Sequence, residues 1–261
     1  LHTGNLPDSA IENGSEYFDV VTRTGTGAEA TVTGLQFQPD LLWTKTRSNA
    51  VNHSLTSTGL THNYSFLQTN TTAAENTGAT NYYMIPTADG YTVGTGDNIN
   101  QNTYTFVDWL WKAGGAAVTN TAGSITSQVS ASPTAGFSVV TYTGTGANAT
   151  VGHGLGAAPS MVITKGRDAV PNNWGTWHTS LGALGYLYLN TTSAAGSLAT
   201  FWNSAVPTSS VFSLGSETTV NTNTKLYVAY CFSEVPGYSS FGSYVGNGNS
   251  NGPFVNLGFR P

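Results

Sequence analysis

Apolar and polar residues alternate with a period close to two along most of the chain, in short runs of β-branched and aromatic residues separated by Gly, Asn, Asp and Pro. That pattern is typical of β-strands joined by turns. In the second half it predicts strands at residues 136–143, 150–152, 160–165, 174–178, 186–190, 198–202, 211–214 and 226–232. Matching runs in the first half predict strands at 17–24, 41–45, 65–69, 91–94 and 104–111. The sequence therefore predicts an all-β protein of antiparallel sandwich or jelly-roll-like folds.

The chain also repeats itself. Residues 18–45 (FDVVTRTGTGAEATVTGLQFQPDLLWTK) reappear as residues 137–165 (FSVVTYTGTGANATVGHGLGAAPSMVITK), and Pro86 has its counterpart at Pro207. Self-similarity at a fixed period indicates repeated structural units. We predict two tandem β-sandwich modules, at residues 1–115 and 116–237. Residues 238–261 are predicted to begin a third copy or to supply a swapped C-terminal strand segment.

The last strand of each copy is apolar on both faces, as in TFVDWLW at residues 105–111. Such a strand is expected to be central in its sheet and covered on both sides. Between the copies, residues 114–133 are mostly small. This stretch is predicted to be a linker, with one edge strand near residues 124–129.

The amino-acid composition argues against nucleic acid and membranes as partners. Only 8% of the residues are charged, and the net charge is −5 with no basic run, so the clustered Lys and Arg that bind nucleic acid are missing. No stretch approaches the roughly 18 apolar residues of a membrane helix, so no membrane insertion is expected. The one cysteine, Cys231, excludes a disulfide within the chain and a cysteine metal site.

Motifs that could indicate a nucleotide, metal or catalytic site lack the neighbouring residues or elements that such sites need. Residues 25–30 and 144–149 fit GxGxxA, but a β-branched strand follows each motif instead of a helix, so a hairpin turn is expected rather than a nucleotide site. The histidines show no metal-ligand spacing. The carboxylates offer no evident pair for glycoside hydrolysis. We therefore predict no catalytic residue, no cofactor and no metal, and a protein that is not an enzyme.

Some side chains of the second copy could contact a sugar. Aromatic rings stack on the apolar C–H faces of sugars, and charged groups at the end of a strand could form a polar rim. The candidates for contact with a glycan or host surface are Trp174, Trp177, His178, Trp202, Lys165 and Arg167. The alternative is structural: rings that fill a sandwich core, a histidine that satisfies loop groups, and charges at a solvated strand end.

Several long runs carry a family resemblance. The segments GFSVVTYTGTGANATVGHGLGAAPSMVITKGR, NNWGTWHTSLG and VNTNTKLYVAYCFSEVPGYSSFGSYVGNG resemble the repeated modules of structural proteins from tailed bacteriophages, many of them tail-fibre or virion appendage proteins of aquatic phages. The resemblance covers nearly the whole chain and brings no catalytic residues. It implies a place on the surface of the virion, in a homo-oligomer with a trimer favoured, together with other virion proteins and a host cell-surface glycan.

Three functions follow as hypotheses. The first is a non-enzymatic virion structural protein, a tail-fibre or appendage component that displays repeated β modules for host attachment. The second is a capsid decoration or head-fibre protein. The third is a secreted carbohydrate-active enzyme with duplicated binding modules.

Overall fold

A computed structural model of the chain describes residues 8–78, 80–168 and 172–259. The strands of the first half are β1 (Phe18–Thr24), β2 (Ala30–Thr33), β3 (Leu41–Thr46), β4 (Ser54–Ser57), β5 (Met84–Thr87), β6 (Gly90–Val93) and β7 (Thr105–Trp111). One short helix, α1 (Asp97–Asn100), precedes β7. The described part of this half therefore consists of strands, loops and isolated helical turns.

The second half is built in the same way. Its strands are β8 (Val118–Asn120), β9 (Ser127–Ser132), β10 (Phe137–Thr143), β11 (Ala149–Gly152), β12 (Met161–Gly166), β13 (Gly175–His178), β14 (Gly185–Tyr188), β15 (Gly196–Ser197), β16 (Val211–Leu214) and β17 (Leu226–Phe232). Its helices are α2 (Ala199–Trp202) and α3 (Thr218–Asn221). Within the described ranges, none of the helices has the length and apolar character needed to cross a membrane.

In the described part of the chain, the strands form four antiparallel sheets. Sheet A has the order β1-β7-β3-β4, and sheet B has the order β2-β6-β5. Sheet C is the largest, with the order β15-β14-β13-β12-β17-β10-β9-β8, and sheet D pairs β11 with β16. The predicted all-β, antiparallel fold class is therefore confirmed. The strands with two apolar faces, β7 and β17, are central in sheets A and C, as predicted.

Corresponding strands of the two halves are connected in the same way. The order β1-β7-β3-β4 in sheet A matches β10-β17-β12-β13 within sheet C, and β2-β6 in sheet B matches β11-β16 in sheet D. The registers agree as well, because Phe18 lies opposite Trp111 in sheet A and Phe137 lies opposite Phe232 in sheet C. The β8–β9 hairpin adds to the outer edge of β10 in sheet C, whereas β1 lies at the edge of sheet A.

Alternation along the strands places three hydrophobic cores between four layers. Leu42 and Leu110 of sheet A pack with Tyr91 and Val93 of sheet B. Leu41, on the other face of sheet A, packs against the facing side of sheet C. The opposite side of sheet C packs on sheet D through residues that include Val140, Val151, Phe212 and Cys231. The layers therefore follow one another as B, A, C and D.

Most of the predicted strands are present, but three predictions on local structure are wrong. Residues 199–202 form helix α2 instead of a strand, and residues 65–69 contribute isolated bridges at Phe66 and Leu67. The small-residue stretch between the halves is not a linker. The strand predicted near residues 124–129 is present as β9, but it lies inside sheet C, and a second strand, β8, forms the edge. The small residues of this stretch allow close packing: a Cβ on Gly114 would lie 2.5 Å from the carbonyl oxygen of Ala131.

The segment before β1 contacts the segment that follows β17. The backbone N–H of Ala10 donates to the carbonyl oxygen of Pro236 at 3.0 Å, and the rings of Tyr17 and Tyr238 make an edge contact at 6.5 Å. Residues 242–259 contain no strand. In this segment Tyr244, Val245, Phe254 and Val255 are exposed.

Candidate functional site

The junction between sheets A and C is a shared hydrophobic core. Sheet A contributes Leu41, Trp43, Leu55 and Trp111. The other side contains Trp174, which precedes β13, and a set of residues from sheet C: Phe137, Val139, Met161, Ile163, Val228, Tyr230 and Phe232. The two contacting faces are equivalent, because Leu41 lies opposite Trp111 on one side and Met161 lies opposite Phe232 on the other. An interface made by equivalent faces closes on itself and leaves neither face free to add a further layer.

Polar contacts cross the same junction. The Arg167 Nε donates to Glu75 Oε2 at 2.5 Å, and its Nη2 donates to Thr61 Oγ1 at 2.9 Å. Burial by itself raises the pKa of Glu75, but the hydrogen bonds from Arg167 and from the Thr61 backbone outweigh it, so the pKa lies below its ordinary value. Arg167 therefore joins the two halves with its charge satisfied.

Lys165 makes a second polar contact across the junction. Its side chain is fully buried, and Nζ donates to the carbonyl oxygens of Thr72 at 3.0 Å and Asn172 at 2.5 Å. Neither partner is charged, so burial is not offset by an ion pair. Burial accordingly lowers the pKa of Lys165 to about 8.

An apolar cavity of about 260 Å³ lies within the junction. Its lining residues come from both sheets and from the segments beside them: Leu41, Trp43, Leu55, Thr69, Trp111, Met161, Ile163, Trp174, Leu189, Tyr230, Phe232 and Phe241. Leu189 is 39% exposed, so the lining reaches the protein surface. A second hollow continues from it past Phe18 and Phe137 and shares the rings of Trp111, Phe232 and Phe241.

The polar atoms on three of the lining rings already have partners in the protein. The Trp43 Nε1–H donates to His53 Nδ1 at 3.0 Å, and the Trp174 Nε1–H donates to the carbonyl oxygen of Gln68 at 3.0 Å. The Tyr230 hydroxyl is 3.0 Å from Ser57 Oγ. Burial, together with the charge of Lys45, lowers the pKa of His53, which favours the neutral imidazole that accepts from Trp43. The wall of the cavity therefore presents mainly carbon atoms.

The predicted glycan contacts are mostly in the interior. Trp174, Trp177, Trp202 and Lys165 are each less than 4% exposed. A ring enclosed by protein cannot stack on a sugar from solution, so these four residues are core residues rather than surface contacts. Trp174 and Lys165 belong to the junction, whereas Trp177 and Trp202 belong to the core between sheets C and D.

The other two candidates are partly exposed but already have partners. The His178 Nδ1 accepts from the backbone N–H of Ser180 at 3.1 Å and so caps the 3₁₀ turn Thr179–Leu181. The guanidinium of Arg167 is paired with Glu75. The structure therefore does not assemble the six predicted contacts into one surface.

The GxGxxA segments have a structural role that the sequence did not indicate. Each carries the chain from one sheet to the next, from β1 to β2 and from β10 to β11, so the predicted hairpin is wrong. The Asn100 side chain holds the first loop, with Nδ2 donating to Ala28 O at 2.7 Å and Oδ1 accepting from Thr26 N at 3.0 Å. Asn221 makes the same contacts to Ala147 O at 2.7 Å and Thr145 N at 2.7 Å.

The close approach of the backbone explains the glycines in these loops. A Cβ on Gly25 would lie 2.1 Å from the carbonyl oxygen of Gln101, and a Cβ on Gly144 would lie 2.3 Å from that of Thr222. A repeated NxNT motif, at residues 100–103 and 221–224, could have revealed this loop, because it begins 75 residues after Gly25 in the first half and 77 residues after Gly144 in the second. Across the described residues, no group of three or more His, Cys, Asp or Glu side chains is placed to hold a metal ion.

These features define an antiparallel all-β protein of stacked sheets with an apolar cavity in its central junction. A model of the family described as "Domain of unknown function (DUF7483)" matches residues 13–261. The chain therefore belongs to the DUF7483 family. Comparisons with curated proteins and with solved structures gave no match.

Proposed function

We propose that this chain is a non-enzymatic structural protein of a tailed-bacteriophage virion, a component of a tail fibre or appendage. In this proposal the chain contains two copies of one β module, and residues 238–261 correspond to the start of a third. The equivalent strand orders of sheets A and C support the duplication. The same asparagine-held loop in both halves also supports it.

The packing at the junction between sheets A and C is the main support for a structural role. Equivalent faces of the two copies pack into one core. The charged side chains beside this core form contacts within the protein, such as the ion pair of Arg167 with Glu75. Such a pair behaves as one stiff unit, because separating the copies would expose a large apolar surface. Stiffness with few charged groups suits a protein that must keep its shape outside a cell.

The virion location and the attachment role rest on the family resemblance. Host-surface glycan binding, a homo-oligomer and contact with other virion proteins remain parts of the proposal. The junction does not supply the glycan site, since the rings of Trp174, Trp177 and Trp202 are buried. We therefore propose that any host contact uses other surfaces of the assembled particle.

Purified virions of the phage that encodes the chain would test the location. Gold-labelled Fab fragments raised against the folded chain are expected to decorate the tail or its fibres in electron micrographs. Fab fragments against the major capsid protein serve as the control for labelling of the head. Labelling confined to the capsid would replace the tail assignment with a decoration role. Absence of the chain from particles, determined by mass spectrometry, would overturn the virion assignment.

A further inference from the structure

We propose that the cavity between sheets A and C is a binding site for a small, uncharged aromatic molecule. Its volume of about 260 Å³ exceeds the roughly 150 Å³ that suffices for an engineered apolar cavity in another protein to bind benzene. Protein interiors rarely leave voids much larger than a water molecule. A space of this size, open to the surface beside Leu189, is therefore large enough to accept a ligand.

The lining determines the chemical class of the ligand. It contains no Asp, Glu, Lys, Arg or His, which disfavours a charged ligand. The indole N–H groups of Trp43 and Trp174 and the hydroxyl of Tyr230 have internal partners, so the lining offers few hydrogen bonds to a sugar hydroxyl. A sugar moved into this space would leave most of its hydroxyls unpaired, which is unfavourable.

Aromatic side chains from both sheets favour a flat aromatic ligand over a saturated one. The walls include the rings of Trp43, Trp111, Trp174, Tyr230, Phe232 and Phe241. Rings placed on several sides of a cavity allow stacked and edge-to-face contacts, which aromatic pairs prefer and which add to simple burial of area.

Two residues mark a route into the cavity. Leu189 follows β14 and is 39% exposed. Phe241 is partly exposed and comes from the segment after β17, where its backbone N–H donates to Glu234 Oε1 at 2.9 Å. We therefore expect a ligand to enter beside these two residues.

The test uses the full chain with benzene and naphthalene as probes, followed by saturation-transfer NMR and by calorimetric melting. Both probes are expected to show saturation transfer and to raise the melting temperature with concentration, because a ligand of the folded state alone stabilises it. Cyclohexane and galactose serve as the saturated and polar comparisons. Absence of binding by both aromatic probes, equal binding of cyclohexane, or displacement of naphthalene by galactose would each overturn the proposal.

A matched pair of variants locates the site. Leu189→Trp fills the mouth of the cavity, whereas Leu184→Trp makes the same change at a leucine of similar exposure, 43% against 39%, that does not line it. Leu189→Trp is expected to weaken naphthalene binding at least about tenfold, while Leu184→Trp leaves it unchanged. If Leu189→Trp does not fold, Ile163→Phe fills the cavity from sheet C and carries the same expectation. Equal binding by a folded cavity-filling variant and wild type would refute the location.

Discussion

The buried ion pair between Asp108 and Arg23 is predicted to be essential for the stability of the first half. Its carboxylate is fully buried, and Oδ2 accepts from Arg23 Nε at 2.6 Å and from the Tyr91 hydroxyl at 2.5 Å. Burial alone would lower the pKa of Arg23, but the charge of Asp108 outweighs it, so the pKa is raised. Asp108→Ala leaves the guanidinium, whose side chain is 11% exposed, without its counter-ion. Removing one partner of a buried pair costs about 3–5 kcal/mol, so we expect a loss of that size.

The second half shows how the same space is filled without charge. At the positions that correspond to Arg23, Tyr91 and Asp108 it carries Tyr142, Phe212 and Ala229. The Tyr142 ring stacks on Tyr227 at 5.2 Å, and its hydroxyl donates to the carbonyl oxygen of Val220 at 2.7 Å. An aromatic cluster therefore occupies the place of the ion pair.

This difference predicts that the triple variant Arg23→Tyr, Tyr91→Phe and Asp108→Ala recovers most of what Asp108→Ala loses. The new tyrosine would lie against Phe106, over which the Arg23 guanidinium now sits at 4.7 Å. Replacement of a whole buried pair by apolar groups is often neutral, so we expect the triple variant to lie within about 2 kcal/mol of wild type.

The assay is reversible urea unfolding followed by tryptophan fluorescence and far-UV circular dichroism, with Arg23→Tyr alone as a control for loss of the other partner. A triple variant as unstable as Asp108→Ala would contradict the equivalence of the two halves. A loss below about 1 kcal/mol for Asp108→Ala would contradict the burial argument itself.

Three further predictions concern the junction, the loops and the unit of folding. The unfolded chain keeps the Lys165 proton up to its ordinary pKa of 10.5, whereas burial lowers the folded-state pKa to about 8, so stability should rise with pH across that window by up to about 3 kcal/mol. To measure this rise, the free energy of unfolding in urea is compared between wild type and Lys165→Met at pH 7.5 and at pH 10.5. An equal difference between the two proteins at both pH values would rule out the rise. Asn221→Ala leaves buried polar groups of the loop unpaired, so we expect the free energy of unfolding in urea to fall by about 3 kcal/mol. Asn223 is exposed, and Asn223→Ala should lower the free energy of unfolding by less than about 0.5 kcal/mol. Equal losses for the two variants would contradict the role of Asn221 in the loop. Residues 116–241 expressed alone should dimerise or aggregate in light scattering, because the face that carries Phe137 and Ile163 would be uncovered. A stable monomer would contradict the shared core.

Periodicity located most strands because long runs such as residues 226–232 have strong local signals. It failed at residues 199–202, where a single helical turn is too short to show a helical period. It also failed between the halves. Small residues such as those at 114–117 suggest a flexible linker, yet in this fold they allow the chain to pack closely beside β9.

The candidate site was less predictable than the fold. Alternation shows which side chains share a face, but not whether that face meets solvent, a ligand or a second sheet. The rings of Trp174 and Trp177 therefore fitted both a sugar-binding surface and a core. Contacts that decide the matter, such as that of Lys165 with Thr72, join residues far apart in sequence, and no local pattern encodes them.

The strands that are apolar on both faces imply one more hydrophobic core than two separate sandwiches would have. A sandwich needs one buried face per sheet, so β7 and β17 with two apolar faces imply a third core beyond the two within the halves. That third core is the junction, where Trp111 and Phe232 meet at 6.2 Å. Because both halves bury the equivalent face there, neither can unfold without exposing the face of the other. The arrangement that makes the chain stiff also couples its two halves into one unit of stability.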